Sequence, residues 1–576
     1  MRRLTLVLLL LLAGVAPVRT AQAQPAGKRF VSIAFHDVAD SAGELDFDAV
    51  TTRSLAQFFD WLKGSGWTAI SLDDLEAARR GTRPLPDKAI LITFDDGYKS
   101  LYTRVFPLLK VYRFPIVAAL GGGWMEGEAG GTVDYGGDRR VPRSNFISWS
   151  EAREMQASGL VEFGSHTYLM HRGIQANPQG STTPAAVTWA YDPATRRYED
   201  DRQYSARIRA DLTRSRNQLA ANLGRAPRAM VWPYGRYTGP GLEIAKQLGF
   251  SFSLTLEAEA SNTSDLFAIH RYFPTGNPGL GEIADNLRFD APRPRNRRIV
   301  CLRLDAMAAL GAGAQEEALG RLVEDVRTLG ANAVMIHAYA ALSPGQPLGA
   351  VFFPTALRPL KADLLSRVSW QMRTRAGVDV YTHMPVDPAA AAIGAARVPA
   401  LYADMAKYSV TDGITFDLEV ETLPTRPSVI VPSHPGEIRA RRAALDISTF
   451  TGHDRLLLEA YRATAHIDPR QRLMVTLNVP GAPPGWADVG ILPPRRDAAE
   501  TASLARRLRA DGWLRPDAAG RIAFALPAEP RLQVEAMRQA QRQGVSAFAL
   551  CPDQPALPPA PALSAAFSSS TYPYRP

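Results

Sequence analysis

The stretch "AILITFDDGYKS", residues 89–100, is an apolar run that ends abruptly at two adjacent aspartates and a glycine. A short apolar run bounded by a turn signal is typical of a buried β-strand. Asp-Gly is also a common turn pair, so Asp95 and Asp96 could simply mark the end of that strand. The sequence around the run decides between a plain turn and a functional site.

Strand and helix patterns alternate on both sides of this run. "RFVSIAFHDV" (29–38) is β-rich, and "SLAQFFDWLKGSGW" (54–67) has the periodicity of an amphipathic helix. Further strands are predicted at "PIVAALGG", "LVEFGSHT", "AMVWPYG" and "SFSLTL". This alternation predicts a parallel α/β layer or barrel. The Pro-, Thr-, Asp- and Arg-rich stretch 172–203 interrupts the alternation and is predicted to be a surface insertion.

The alternation restarts after a linker, "DAPRPRNRR" (290–298). At least seven strand candidates follow, separated by helices, and the sixth strand of the series is poorly defined. This pattern predicts a TIM-like (β/α)₈ barrel over residues 296–576. Cys301 would lie on its first strand and Cys551 on its last, so barrel closure would make them neighbours, while their bonding is left open.

The beginning of the chain has the features of an export signal. Arg2 and Arg3 precede the apolar run "LTLVLLLLLAGVAP", and "AQA" follows at 21–23. We expect a signal peptide over residues 1–23, a periplasmic or secreted mature protein, and no transmembrane segment after cleavage. The formal charge of +9 comes from scattered arginines without a dense basic run, which argues against nucleic acid as a partner.

Two histidines complete the ligand set of a predicted metal site. "FGSHTYLMHRGI" places His166 and His171 straight after a predicted strand, as Asp95 and Asp96 follow theirs. One carboxylate with two imidazoles is a ligand set for a borderline divalent ion such as Zn, Ni, Co or Fe. The second aspartate would then be free to accept a proton from water that the metal activates.

"TFDDG", "SHTxxxH" and "WPYG", in that order, resemble the motifs of the polysaccharide deacetylase family, also called carbohydrate esterase family four. The chain is similar to its subgroup of periplasmic poly-β-1,6-N-acetylglucosamine deacetylases, which also carry a C-terminal glycosidase-like barrel. Residues 359–386 resemble the opening part of that barrel. The resemblance implies an α/β chain with two (β/α) barrel-type domains. The first would be a distorted deacetylase barrel over residues 24–290.

The resemblance also implies roles for individual residues. Asp96, His166 and His171 would bind one divalent metal ion, and Asp95 would be the catalytic base. Tyr234, through its backbone N–H, and Trp232 would contact the oxyanion or the substrate. For the general acid two candidates stay open, His36 in "IAFHDV" and His270 in "AIHRYF"; we favour His36, because it ends an apolar run as the other catalytic motifs do.

The chain departs from the family pattern at two places. The spacing between His166 and His171 is one residue longer than usual in the wider family, as in the exopolysaccharide subgroup. Val231 stands where the family usually has an arginine that braces the base. The sequence therefore leaves open what orients Asp95.

Acidic residues follow the predicted strands of the C-terminal barrel, where such barrels carry their active sites. The candidates there are Asp305, Asp417 and Glu419. The last two belong to "TFDLEVE", in which Asp417, Glu419 and Glu421 would share one face of a strand. Such a face suits a partly deacetylated, cationic glucosamine polymer. Because related barrels place their key acid at the position of Leu418, we expect binding more than cleavage.

The sequence thus predicts an exported, metal-dependent polysaccharide N-deacetylase, a hydrolase of amide C–N bonds. Its substrate would be poly-β-1,6-N-acetylglucosamine during exopolysaccharide export and biofilm formation, and its partner the outer-membrane export machinery. The alternatives are a chitin, peptidoglycan or xylan deacetylase, a non-catalytic polysaccharide-binding export factor, and a glycosidase acting through the C-terminal barrel.

Overall fold

The structure is a computed structural model that describes most of the chain. The described residues are 27–44, 46–128, 130–136, 139–257, 259–288, 296–343, 345–418, 435–478, 483–514, 520–551 and 561–568. The predicted signal peptide, Glu419, Glu421 and most of the predicted linker lie outside them. Among the described residues, no helix combines the length and the apolar composition needed to cross a membrane.

The N-terminal half contains short strands and helices in alternation. Its strands are β1 Arg29–Phe35, β2 Val38–Ala39, β3 Val50–Thr51, β4 Thr68–Ala69, β5 Ala89–Phe94, β6 Ile116–Leu120, β7 Thr132–Asp134, β8 Arg140–Pro142, β9 Val161–Ser165, β10 Gly173–Gln175, β11 Thr182–Pro184, β12 Tyr191–Asp192, β13 Arg197–Tyr198, β14 Ala229–Val231, β15 Phe252–Leu254 and β16 Ser261–Asn262. Its helices are α1 Thr52–Gly64, α2 Leu72–Arg79, α3 Phe106–Tyr112, α4 Gly122–Met125, α5 Trp149–Ala157, α6 Asp201–Leu223, α7 Gly239–Gln247 and α8 Leu280–Arg288.

One mostly parallel sheet organises this half. Its order is β15-β14-β9-β6-β5-β1-β16, with β4 beside β5; only β16 is antiparallel to its neighbour. Every residue of β5 and β6 is buried, because one set of their side chains packs on helices such as α1 and α3, and the other set packs on side chains of β14 and β15 in the same curled sheet. Helix α5 begins with the capping box formed by Ser148 and Glu151, in which each side chain accepts a hydrogen bond from the other residue's N–H.

The C-terminal half is a closed parallel barrel of eight strands, which confirms the predicted α/β class and the second barrel. The strands are β17 Arg297–Leu302, β18 Ala333–His337, β19 Asp379–His383, β20 Gly413–Leu418, β21 Arg472–Leu477, β22 Val489–Leu492, β23 Ile522–Ala525 and β24 Ala547–Leu550. The helices are α9 Asp305–Ala308, α10 Ala312–Leu329, α11 Leu365–Gln371, α12 Val386–Ile393, α13 Val398–Lys407, α14 Pro435–Ala443, α15 Gly452–Ile467, α16 Ala498–Ala510, α17 Pro530–Gln541 and α18 Pro561–Phe567.

Two features of the barrel were open in the sequence. The poorly defined sixth strand is β22, a run of only four residues between β21 and β23. The barrel closes where β17 pairs with β24, and Cys301 and Cys551 form a disulfide across this seam with their Cα atoms 4.6 Å apart. The bond links Cys301 on the first strand to Cys551, which directly follows the last strand, 250 residues further along the chain.

The insertion at 172–203, predicted as a surface insertion, packs on the C-terminal barrel. Asn177 donates to Ser366 at 3.0 Å in a buried contact, and the Tyr198 hydroxyl donates to the Asp363 carboxylate at 2.6 Å. The Trp370 indole also donates to the Thr182 carbonyl at 2.8 Å. The polar composition of the insertion serves these contacts between the two halves.

Candidate functional site

The carboxyl ends of four parallel strands bring the predicted catalytic motifs to one edge of the N-terminal sheet. His36 follows β1, Asp95 follows β5, His166 follows β9 and Trp232 follows β14. The Asp95 N–H donates to the carbonyl of Phe35 at 2.9 Å, so β1 and β5 stay paired to their carboxyl ends. In open α/β sheets, ligands bind at this edge.

Three residues other than glycine in these motifs have left-handed backbone conformations. The φ angles are +73° at Asp96, +69° at Thr167 and +58° at Tyr234. Such angles are uncommon for residues other than glycine and concentrate at functional sites, where the surrounding structure must enforce them. Each of these residues lies within three residues of a strand end: Asp96 after β5, Thr167 after β9 and Tyr234 after β14.

Asp96, His166 and His171 form a compact cluster. The Asp96 Oδ1 atom lies 3.3 Å from His166 Nε2 and 3.7 Å from His171 Nε2, and the three donor atoms all lie within 4.8 Å of one another. The Nδ1 atom of His166 lies 2.9 Å from the carbonyl of Val231. That contact fixes the ring so that its Nε2 atom points toward Asp96.

The cluster fits a divalent cation. Asp96 is 1% exposed, and its Oδ1 atom has no hydrogen-bond partner among the described residues, which is costly unless a cation balances the charge. Burial lowers the pKa of His171 to about 4, so this imidazole is neutral at physiological pH. Although burial opposes it, the neighbouring imidazoles hold the pKa of Asp96 below its usual range, and Asp96 and Asp95 in turn raise the pKa of His166 against the effect of its burial. An ionised Asp96 and a neutral His171 are the protonation states that metal binding requires, and His166 would release its proton when the ion binds.

The second oxygen of Asp96 is occupied by a chain of tyrosines. The Tyr135 hydroxyl donates to Asp96 Oδ2, and the Tyr98 hydroxyl donates to Tyr135 at 2.7 Å. The Tyr135 ring also lies 5.3 Å from the ring of His171. These contacts hold the carboxylate so that only Oδ1 faces the imidazoles. Sequence reasoning missed Tyr135, because it follows a short strand in a loop that carries no recognised motif.

Asp95 is braced by an arginine that the sequence did not identify. Arg271 is 0% exposed and donates from its two terminal nitrogens to the two oxygens of Asp95, at 2.7 and 2.9 Å. Although burial opposes it, the Arg271 guanidinium holds the pKa of Asp95 below its usual range. Arg271 thus orients Asp95, which answers the question that Val231 left open in the sequence. A sequence signal existed, since Arg271 directly follows the candidate His270.

The two candidate general acids have different surroundings. His36 Nε2 lies 4.0 Å from Asp95 Oδ2, and its ring packs on Phe273 with ring centres 4.5 Å apart. His270 Nδ1 instead lies 3.2 Å from a carboxylate oxygen of Glu257. Only the first of these two histidines is adjacent to the expected base, so the geometry favours His36.

Tyr234 and Trp232 lie on opposite sides of the same turn. Tyr234 is 43% exposed, and its ring centre lies 4.4 Å from that of His171. Trp232 is fully buried in a hydrophobic cluster, and its indole donates to Ser253 at 2.9 Å. The expected contact between the Trp232 side chain and substrate is therefore corrected: this residue anchors the turn from beneath.

Two parts of the chain match known families. Residues 82–253 match the family described as "Polysaccharide deacetylase", and residues 304–388 match "Hypothetical glycosyl hydrolase family 13". The first match contains the Asp96 cluster, Asp95 and Tyr234. Residues 82–253 thus form a polysaccharide deacetylase domain. We call the N-terminal half that contains them the deacetylase domain from here on.

A curated relative matches more of the chain than the deacetylase domain alone. A protein of Escherichia coli (strain K12) named "Poly-beta-1,6-N-acetyl-D-glucosamine N-deacetylase" is 38% identical over 357 residues, 62% of this chain and 53% of that protein. The chain thus spans about half the length of this curated relative.

Solved structures also match this region. A de-N-acetylase from Aggregatibacter actinomycetemcomitans is 33% identical, with a TM-score of 0.43, over 45% of this chain and all of that one. The deacetylase domain of BpsB from Bordetella bronchiseptica is 38% identical, with a TM-score of 0.40, over 43% of this chain and 97% of that one.

A second polar cluster lies at the mouth of the C-terminal barrel. Asp417 Oδ1 accepts a hydrogen bond from Thr476 at 2.5 Å and lies 3.1 Å from His383 Nε2. Although burial opposes it, His383 and Thr476 hold the pKa of Asp417 below its usual range. His337 pairs with His383 in register, and their ring centres are 4.9 Å apart. The mouth therefore holds an ionised carboxylate among imidazoles.

The other two acids predicted for the barrel have different outcomes. Asp305 lies at the start of α9, where its carboxylate accepts from the Ala341 N–H at 2.6 Å and pairs with Arg303 at 3.2 Å. These contacts hold a loop, and the predicted role of Asp305 in a site stays a prediction. Glu419 lies outside the described residues. Sequence reasoning missed His453, which lies 2.9 Å from the carbonyl of Asp417 and 2.9 Å from the Asp387 carboxylate.

Proposed function

We propose that this chain removes N-acetyl groups from a poly-β-1,6-N-acetylglucosamine polymer by metal-dependent hydrolysis. The observation that carries the proposal is Asp96 Oδ1, a buried atom without a hydrogen-bond partner among the described residues, which faces His166 and His171. Asp95, the next residue in the chain, is held by Arg271 instead. The neighbouring carboxylates are thereby separated into a metal ligand and a proton acceptor.

Asp96, His166 and His171 would hold one divalent metal ion of the class Zn, Ni, Co or Fe. When bound, such an ion polarises a carbonyl oxygen and lowers the pKa of water. The tyrosine chain on Asp96 Oδ2 leaves a single oxygen for the ion. The contact from Val231 to His166 Nδ1 keeps the other ring nitrogen directed at it.

Asp95 would accept the proton of the water that attacks the acetyl carbonyl. Arg271 fixes the orientation of this carboxylate through two hydrogen bonds, at 2.7 and 2.9 Å. The same guanidinium keeps the carboxylate ionised, as a base requires at the start of the reaction. Water then adds to the acetyl carbon, and the negative charge develops on the former carbonyl oxygen.

His36 in its protonated form would donate to the amide nitrogen as the C–N bond breaks. The products are acetate and the free amine of glucosamine. The backbone N–H of Tyr234, in the left-handed turn at φ +58° that follows β14, would hydrogen-bond the oxyanion. The exposed ring of Tyr234 would face the sugar.

The names of the relatives support the choice of polymer and linkage. The Escherichia coli relative and a 23% identical protein of Staphylococcus aureus are both named as poly-β-1,6-N-acetyl-D-glucosamine N-deacetylases. We propose accordingly that the chain acts outside the cytoplasm, periplasmic or secreted, beside the outer-membrane machinery that exports a biofilm exopolysaccharide. Chitin, peptidoglycan and xylan are the rival substrates.

The C-terminal barrel would bind the partly deacetylated polymer at its mouth. A general acid of a glycosidase needs a raised pKa, whereas His383 and Thr476 lower that of Asp417. An ionised carboxylate at this position favours a cationic glucosamine ligand. Mass analysis of deacetylated polymer after incubation separates binding from cleavage: binding predicts unchanged chain lengths, and fragments that disappear in Asp417→Asn would assign a glycosidase instead.

The deacetylase proposal is tested by acetate release from two substrates, β-1,6-linked N-acetylglucosamine oligomers and β-1,4-linked chitin oligomers of the same length. We expect release from the β-1,6 series and its loss in Asp95→Asn. Glu162→Gln, which alters a half-buried carboxylate paired with Arg228 at the other end of β9 from His166, is the matched control and should keep activity. Equal release from both series would overturn the linkage, and full activity of Asp95→Asn would overturn the base.

A further inference from the structure

The underside of the C-terminal barrel contacts the loops that form the deacetylase site. Residues 468–470 connect α15 to β21, so they lie at the amino end of a barrel strand, on the face opposite the mouth. Asp468 lies 3.7 Å from Arg236, and Arg470 lies 3.7 Å from Glu257. The Arg470 guanidinium also bonds the Asp468 carboxylate at 3.1 and 3.2 Å. We call residues 468–470 the interdomain turn.

The charges of this contact alternate and are largely removed from water. The side chains of Glu257, Arg470, Asp468 and Arg236 are 14%, 18%, 16% and 13% exposed. Burial disfavours the Glu257 carboxylate, but His270 and Arg470 hold its pKa at about 2. Buried charge pairs add little to stability compared with apolar packing, but they fix geometry when both partners are present. The cluster is therefore suited to setting the position of what it touches.

Glu257 contacts Thr255, which helps to hold Arg271, the residue that orients the proposed base. The Thr255 hydroxyl donates to Glu257, and the Thr255 carbonyl accepts from Arg271 Nε at 2.9 Å. Arg271 in turn holds both oxygens of Asp95. A continuous series of contacts thus runs from Arg470 in the barrel to the proposed base in the deacetylase domain.

The same segment supports the turn that carries Tyr234. A Cβ atom placed on Gly235 would lie 2.5 Å from Leu256 Cβ and 2.6 Å from its backbone nitrogen. Gly235 itself has φ +62°, so a side chain is excluded by conformation as well as by space. Arg236, the next residue, is the partner of Asp468. The interdomain turn therefore contacts both loops of the site, one through Glu257 and one through Arg236.

We infer that Arg470 and Asp468 of the C-terminal barrel are positioning residues for the deacetylase reaction, acting through Glu257 and Arg236. The inference rests on the proposed deacetylase function and extends it to the barrel. The barrel would then have two separate roles, polymer binding at its mouth and alignment of the catalytic loops at its underside. Since neither positioning residue reaches the acetyl group, their loss should slow the chemical step with little effect on substrate binding.

The test compares two variants of the full chain, each of which removes one barrel cation that pairs with the deacetylase domain. Arg470→Met removes the guanidinium that pairs with Glu257 and Asp468. Lys407→Met is the matched control, because Lys407 pairs with Asp201 at 3.0 Å on α6, away from the two loops. We expect kcat of Arg470→Met to fall about 10-fold with KM within about twofold, as for small misplacement of a catalytic group. Arg470→Lys should recover part of the loss, and Lys407→Met should match the unaltered chain.

A second readout does not depend on activity. Hydrogen exchange of peptides that cover residues 232–236 and 255–257 should speed up in Arg470→Met and not in Lys407→Met. Asp468→Asn, which keeps the size of the side chain, replaces Arg470→Met if that variant does not fold. Equal kcat values and equal exchange in Arg470→Met and Lys407→Met would overturn the inference. An unaltered chain that releases no acetate would overturn the proposed function, while the exchange comparison would still decide the bracing.

Discussion

Arg271 donates hydrogen bonds to both oxygens of Asp95, at 2.7 and 2.9 Å, from a position 176 residues further along the chain. Both side chains are almost completely buried. A planar guanidinium that binds a carboxylate through two parallel bonds fixes its orientation as well as its charge. The proposed base is thus set by a residue outside the stretch that matches the family.

Arg271→Lys should reduce acetate release about 100-fold, because an ammonium group cannot reproduce the two parallel bonds to Asp95. Metal content should stay the same, since Arg271 does not contact Asp96. Arg228→Lys is the matched control, as Arg228 makes a similar two-bond contact with Glu162 away from the cleft. The measurement is kcat with metal stoichiometry on the same samples. Equal losses in both lysine variants would mean that Arg271 acts through stability alone.

Tyr135→Phe should weaken metal binding about 10-fold, because groups that hydrogen-bond a ligand tune its affinity to that extent. The change removes the hydroxyl that donates to Asp96 Oδ2 and leaves the ring beside His171. Chelator competition with cobalt gives the affinity, and the cobalt absorption spectrum reports the ligand geometry. Tyr102→Phe removes a surface hydroxyl bonded to Glu154 and should change neither quantity. Unchanged affinity in Tyr135→Phe would argue against a role of the tyrosine chain at the metal.

The contact between the insertion and the barrel should weaken as pH rises. Burial raises the pKa of Asp363 to about 6, from an ordinary value of 3.8. The folded state therefore binds this proton more tightly than the unfolded state. The stability that the proton provides is complete below about pH 4 and is lost as pH rises through about 6, a change of at most about 3 kcal/mol.

Asp363→Asn removes this titration while keeping an oxygen that accepts from Tyr198. The variant should therefore unfold at a higher temperature than the unaltered chain at about pH 7.5, and the difference should shrink at about pH 4.5. Asp285→Asn, on the exposed face of α8, should show no such trend. If the unfolding temperatures of Asp363→Asn and the unaltered chain differed by the same amount at both pH values, the raised pKa of Asp363 would be contradicted.

The Cys301–Cys551 disulfide should stabilise the barrel rather than the deacetylase site. It closes the seam between the first and last strands across 250 residues of chain, so it removes much freedom from the unfolded barrel. The double change Cys301→Ser and Cys551→Ser should cost about 2–4 kcal/mol. Thermal unfolding with and without reductant measures this: reductant should destabilise the unaltered chain and leave the double variant unaffected. If the double variant lost acetate release at temperatures where it is still folded, the disulfide would also support the deacetylase site, contrary to this prediction.

The sequence revealed those parts of the site that follow strands within recognisable patterns. Asp96, His166 and His171 each end a predicted strand or follow it closely, and parallel strands bring such ends together. Arg271 and Tyr135 were missed because their roles depend on contacts across 176 and 39 residues of chain, which no local pattern records. Trp232 was misjudged for a related reason, since its motif fixes the turn but not which side of the turn faces the core.

In the second half, the sequence predicted the barrel but not its use. The βα alternation revealed seven of its strands but not β22, although β22 is as long as β23 and β24, each of four residues. The insertion at 172–203 looked like a surface loop because its composition is polar. Polar residues also suit an interface between two domains, and only the fold distinguishes these two situations. The interdomain turn was not visible for the same reason.

The most direct test of the central claim is acetate release from β-1,6-linked N-acetylglucosamine oligomers as metal is returned to stripped protein. The cluster of Asp96, His166 and His171 predicts no release without metal and a rate that rises until one ion is bound per chain. His171→Ala should bind the ion weakly and stay inactive at that ratio. Release that proceeds at the full rate in stripped protein, or that is unchanged in His171→Ala, would contradict the account.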